Sequence, residues 1–254
     1  MKLLDMQNAP EETVFALVYG GSGTGKTHLI GTLAEMGPIL VPDIDKGWKT
    51  LKHAKELEPY RKNIHVCSFD QFGDLDTMYK LVDANDPDRW TSFFRSKGDK
   101  DALITEPFLW IAPDTWSELQ WYMLEELRSK DPAMKGKGLN FRENVQIKHW
   151  GQMTDLNKLA VEAFRDCKVN MIFSMQEKMD KDELSSQIFG GPSIHGKMVQ
   201  EMPTYFDLVI RTYCDPAGNY CATTKAKGRW VAKSRISTPG DFKNPTMKQI
   251  LGVK

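Results

Sequence analysis

Between an apolar run, Val14 to Tyr19, and a helix-like stretch, residues 26–36, lies the octapeptide GGSGTGKT at positions 20–27. It satisfies the spacing G-x-x-x-x-G-K-[ST] at Gly20, Gly25, Lys26 and Thr27, a pattern that ties one strand, one loop and one helix together. Gly20, Gly21, Gly23 and Gly25 carry no Cβ, so the backbone N–H groups around them can converge on the oxygens of a phosphate chain. Ser22 and Thr24 complete the loop, and the helix that follows adds the positive end of its dipole. Lys26 is placed to reach β- and γ-phosphates, and the Thr27 hydroxyl to ligate Mg²⁺. The eight residues imply a nucleoside triphosphate site.

The remainder alternates strand and helix, which predicts an α/β fold with a mostly parallel sheet sandwiched by helices. Strands are predicted at 13–19, 39–42, 64–69, 108–112 and 169–175. Trp116, Leu119, Met123 and Leu127 give one amphipathic helix, and Met153, Leu156, Ala160, Ala163 and Cys167 another. Residues 83–107 read as an irregular acidic insertion with a short helix near Trp90–Phe94, and 130–149 and 177–198 as polar, glycine-containing loops. In the last third, YFDLVIRTYC, NYCATTK and GRWVAKSRI are separated by turn sequences and predict a C-terminal antiparallel meander. Its alternation puts Lys233 and Arg235 on one face. The expected organisation is a tail at 1–12, a core at 13–245 and a second tail at 246–254.

A phosphate loop needs an acidic partner at the end of a neighbouring strand to hold Mg²⁺. Asp43 and Asp45 in ILVPDID and Asp114 in FLWIAPDTW are the candidates, and Asp114 is preferred because it follows the more apolar strand. Capping of the next helix is the competing role for each.

The 254 residues carry 34 Lys+Arg and 34 Asp+Glu, a neutral sum that conceals segregation. Residues 129–150 hold five Lys/Arg against Asp131 and Glu143, and 222–254 hold eight against Asp241 alone. Between Asp70 and Asp101 eight Asp face five Lys/Arg. Such asymmetry is what a polyanion-binding surface produces, although a solvated loop and tail produce it too. The longest apolar run is too short to span a membrane, and Asp5 interrupts any signal-like start. Cys67, Cys167, Cys214 and Cys221 lack C-x-x-C spacing, so free thiols and a cytoplasmic setting are expected, though Cys214 and Cys221 flank a turn. His149 and His195 have no partner at ligand spacing, so no structural zinc is expected.

In their order these pieces resemble the RecA-like recombinase core. The likeness is strongest to small phage nucleotide-binding proteins treated as single-strand-annealing or recombination ATPases, and it covers roughly residues 12–245. The resemblance implies ATP and Mg²⁺ at Gly20–Thr27 with Asp114. It implies that Asp45, one methylene shorter than the family's usual Glu, orients the attacking water, and that Gln176 of MIFSMQ senses the γ-phosphate. It makes 130–149 and 177–198 the DNA-facing loops, with Lys135, Lys137, Arg142, Lys148, Phe189 and Lys197 as contacts. Lys233 and Arg235 match a family element that reaches the γ-phosphate of a neighbouring subunit, the electrostatic logic of an arginine finger.

The implied partners are single-stranded DNA, further copies of the chain in a ring or filament, and a single-strand-binding protein, in the cytoplasm of a phage host. The chain reads as a bare core in which Leu3, Leu4 and Met6 could form a short hydrophobic hook. Trp150 is expected to be mostly packed, whereas Phe189 lies among glycines where it could stack on bases. The absence of N-K-x-D favours ATP over GTP. A P-loop phosphotransferase, a ring motor or helicase subunit, and a non-catalytic ATP-dependent scaffold are the competing readings. Residues 177–198 contain no Arg, against the Arg-bearing lid of a phosphotransferase.

Overall fold

Phe15, Leu17 and Tyr19 alternate with Ala16 and Val18, yet all are buried, which requires a strand covered on both faces. The computed structural model describes residues 13–132, 145–181, 188–196 and 198–253. In chain order the elements are β1 (Phe15–Gly20), α1 (Lys26–Gly31), β2 (Ile39–Asp43), α2 (Lys49–His53), β3 (Ile64–Ser68), α3 (Asp74–Ala84), α4 (Pro87–Ser96), β4 (Trp110–Ile111) and α5 (Trp116–Lys130). Then follow α6 (Ile147–Arg165), β5 (Asn170–Lys181), β6 (Ile188–Pro192), α7 (Met198–Tyr205), β7 (Leu208–Cys214), β8 (Tyr220–Thr223), β9 (Lys233–Ser234), β10 (Asp241–Lys243) and α8 (Met247–Leu251). Segments 32–35 and 55–63 are 3₁₀.

The strands form one sheet in the order β10-β8-β7-β1-β5-β4-β2-β3, with β6 paired to β5 and β9 to β7. From β7 to β3 the pairs are parallel, while β8, β9 and β10 add antiparallel pairs. This is the expected mostly parallel, helix-sandwiched α/β core with antiparallel strands at its C-terminal end. Phe15, Leu17 and Tyr19 face a core built with α3 to α7, and Ala16 and Val18 face a second core with α1 and α8. Between α5 and α6, Trp116 stacks on Phe173 at 4.2 Å and donates its Nε1–H to Asn157 Oδ1 at 3.0 Å.

The structure corrects several expectations. The short helix expected near Trp90–Phe94 is present but longer, running as α4 from Pro87 to Ser96: Asp86 caps it by accepting from the N–H groups of Asp88 and Arg89, and Pro87 occupies its first turn. Segment 177–198 is no simple loop, because β5 runs on to Lys181 and turns back antiparallel into β6. The third meander strand is only β9, pairing β7, and β10 takes the place beside β8. The end of the chain, by contrast, forms the short terminal helix its sequence suggests: in α8 Met247 and Ile250 are buried, and the Met247 N–H donates to Thr32 Oγ1 at 2.8 Å. Cys214 lies opposite Tyr220 in the β7–β8 register, and the four cysteines are free. Among the described residues no helix is long and apolar enough to cross a membrane. Leu3, Leu4 and Met6 lie outside the described residues.

Candidate functional site: a phosphate cradle with a carboxylate wall

β1 ends at Gly20 against Thr212, and a Cβ there would sit 2.2 Å from the Thr212 hydroxyl, so only glycine lets the loop leave the sheet at this point. Gly25, the residue before α1, has φ +85°, in the left-handed region. Thr24 Oγ1 donates to Gly21 O at 2.8 Å and meets Thr212 Oγ1 at 2.8 Å, pinning the loop to β7. Ser22, Gly23, Thr24, Gly25, Lys26 and Thr27 line a cavity of about 670 Å³.

Lys26 is buried, and its Nζ donates to Gly20 O at 3.0 Å, Gly21 O at 2.8 Å and Gln176 Oε1 at 3.3 Å. Burial pulls its ammonium below the ordinary lysine range, and the charges of Asp114, Asp45 and Glu177 draw it back up. Thr27 Oγ1 donates to Asp114 Oδ2 at 2.6 Å. The other carboxylate oxygen of Asp114 accepts from the Ser174 hydroxyl, and the residue is 1% exposed. Asp114 bridges Asp43 across the sheet, and its carbonyl accepts from Ile44 N at 2.7 Å.

Asp43 and Asp45 both accept from the N–H of Gly47, at 2.9 and 3.0 Å. Asp43 is buried and its carboxyl is raised, by burial first and then by Asp114, against the Gly47 hydrogen bond. Asp45 is exposed on the cavity wall, and its carboxyl is pushed up to about 6. Partial desolvation against the cleft wall is the first cause, followed by the negative charge of Asp114 and, more weakly, of Asp43 and Glu118.

Gln176, at the level of Gly20 on β5, faces the same cavity. The Gln176 backbone N–H donates to Ser117 Oγ at 3.0 Å, and Ser117 in turn donates to Ser193 O at 2.9 Å. Gln120 Nε2 donates to the same Ser193 carbonyl at 2.9 Å, while its Oε1 accepts from His195 N at 2.9 Å. A hydrogen-bonded path therefore runs from Lys26 to the segment that follows the β5–β6 hairpin. The root of that hairpin is clamped from the other side. Arg211 pairs with Glu177 at 2.7 Å and lies 3.5 Å over the Trp230 ring, which packs on Gly190.

The sequence-derived residues fall into three groups. Gly20 to Thr27, Asp45, Asp114 and Gln176 come together around one cleft. Lys233 and Arg235 do not join it: Lys233 pairs with Val209 while Gly20 pairs with Thr212, three positions further along β7, about 10 Å away. Both cations reach Thr204 O, Arg235 also pairs with Asp207 at 3.7 Å, and burial, then Arg235, lowers the Lys233 ammonium. Of the proposed DNA contacts, Lys148 sits in the first turn of α6, paired with Asp131 at 2.6 Å, and Phe189 is half-buried in β6. Lys135, Lys137, Arg142 and Lys197 lie outside the described residues.

Four contributors leave no functional signal in the sequence. Ser174 is the one hydroxyl in the apolar run of β5, and Ser117 and Gln120 are polar positions on the buried face of α5. Tyr220 packs its ring against Gly25, where a Cβ would meet it at 3.1 Å, and forms the outer wall of the cavity.

The glycine cradle, the buried lysine and the Thr27–Asp114 pair suit a magnesium–triphosphate group, so the fold and site define a P-loop nucleotide-binding domain. Lys26 would neutralise phosphate charge, and Thr27 and Asp114 would hold Mg²⁺, which supplies charge neutralisation on the phosphate oxygens when bound. The chain belongs to the AAA domain family, which it matches over residues 13–236. That membership points to nucleotide-dependent ATPase activity. None of the curated proteins matches the chain.

Proposed function

We propose that the chain is a self-assembling, single-stranded-DNA-dependent ATPase of the RecA-like type, acting in recombination or strand annealing. One observation carries the reading: the Gln176 side chain meets Lys26, while its backbone N–H is tied through Ser117 and Ser193 to the exit of the β5–β6 hairpin. A side chain in that place can exchange its bond to the lysine for one to a γ-phosphate and move the hairpin root as it does so. The segregated basic segments supply the polyanion affinity. The distance of Lys233 and Arg235 from their own phosphate loop supports their action on a neighbouring copy. Asp45 would orient the water that attacks the terminal phosphate.

Steady-state hydrolysis, with and without single-stranded DNA, tests this. The wild type is expected to be stimulated several-fold by DNA, and Gln176→Ala to bind ATP normally but lose the stimulation. Equal stimulation of wild type and variant would remove the coupling role, and no stimulation of the wild type would remove the DNA-dependent reading.

A further inference from the structure

Away from the phosphate cleft, three rings form a column at the start of α6. The Trp121 and Trp150 rings meet edge-on with centroids 6.1 Å apart, and the Trp150 indole lies nearly parallel to the His195 imidazole at 4.2 Å and 22°. Trp150, expected to be packed away, is only half-buried, and His195 is exposed. The column opens on a groove of about 510 Å³ bordered by Ile147, Thr154, Lys158 and Glu201. Ile147 is 90% exposed beside it. Among the described residues the second face of His195 meets no other ring and its ring nitrogens have no hydrogen-bond partner.

Resting on the reading of the chain as a single-stranded-DNA-dependent ATPase, we propose that His195, backed by Trp150, is a base-stacking platform for that strand. A flat π-face held from behind by a parallel indole adds a further flat ring at little ordering cost. Aromatic stacking accepts any base, as a sequence-tolerant binder requires. The ring nitrogens of His195 offer an edge contact to a base. Asp155 and Glu201 share the groove wall, so the lining carries no excess of positive charge. The platform therefore contributes by stacking, and the salt dependence of DNA binding arises elsewhere. Its position is tied to the phosphate site, because the His195 N–H is held by Gln120, which shares the Ser193 carbonyl with Ser117.

The test compares an oligothymidylate with an abasic oligomer of equal length, with a non-hydrolysable ATP analogue present. His195→Ala is expected to weaken the oligothymidylate about tenfold, leave the abasic oligomer unchanged and keep the salt slope of the wild type. His195→Phe is expected to restore binding, and a thermal melt matching wild type guards against misfolding. Wild-type affinity for oligothymidylate in His195→Ala, or an equal loss on both oligomers, would overturn the platform while leaving the DNA-dependent ATPase standing. Failure of the wild type to bind either oligomer would overturn both.

Discussion

Asp45 stands among carboxylates that its local sequence alone would leave ordinary. In the folded chain, desolvation and the neighbouring Asp114 push its carboxyl up to about 6, against an unfolded value of 3.8. Between those values the folded state binds more protons than the unfolded state, so stability falls as pH rises through the window and the loss is complete above about 6. In metal-free, nucleotide-free buffer, Asp45→Asn is therefore expected to raise the melting temperature at pH 7.5 and to leave it near wild type at pH 4. Melting curves across pH check this; a variant that gains equally at both values would show that the charge of Asp45 is not the cause. The same residue shows how far the sequence reaches. The cradle is legible because its eight residues are contiguous, and Asp114 because it ends an apolar strand. Ser174 and Ser117 escape because each meets its partner only after about 60 residues of chain have folded. A lone hydroxyl in a buried strand marks such a position but does not name its partner.

At the scale of elements, the β5–β6 hairpin was the hardest part to read. EKMDK follows the apolar VNMIFSM without alternation: Lys178 and Met179, neighbours on opposite faces of the strand, are both exposed, so no single buried face imposes a period there. The start of α4 is masked for another reason: Asn85-Asp86-Pro87 has the composition of a turn, but Asp86 is a cap and Pro87 needs no N–H in the first turn. β9 and β10, of two and three residues, are defined by their pairing rather than by any pattern. One close contact in the hairpin admits only glycine. A Cβ on Gly190 would lie 1.7 Å from the Trp230 ring, which cannot retreat without leaving Arg211. Gly190→Ala should cost about 1–3 kcal/mol in chemical denaturation. Added to Trp230→Ala it should cost much less than the sum of the two single changes, since the obstructing ring is then already gone. Additive losses would show that the strain lies elsewhere.

For the whole molecule, the neutral total is the sum of opposed ends. The acidic stretch from Asp70 to Asp101 follows β3, the strand at one edge of the sheet, and the basic C-terminal third builds β8, β9 and β10 at the other. On the proposed self-assembling reading, unlike charge at the two edges would favour head-to-tail contact between copies, the heterologous arrangement that gives rings or filaments. It would bring Lys233 and Arg235 of one copy toward another's phosphate cleft, whereas in their own chain they contact Thr204 and Asp207 instead. If they act in that way, defects in the two halves of the site must complement. Lys26→Ala should abolish nucleotide binding, and Lys233→Ala with Arg235→Ala should preserve binding but lose most turnover; each preparation alone is nearly inactive. In an equal mixture, roughly a quarter of the interfaces join an intact cradle to intact cations from the neighbour, and turnover should recover to about that fraction of wild type. Recovery should vanish on dilution below the assembly concentration. A mixture no more active than its components would place the two cations outside the reaction and leave them as supports of α7, where both already reach Thr204.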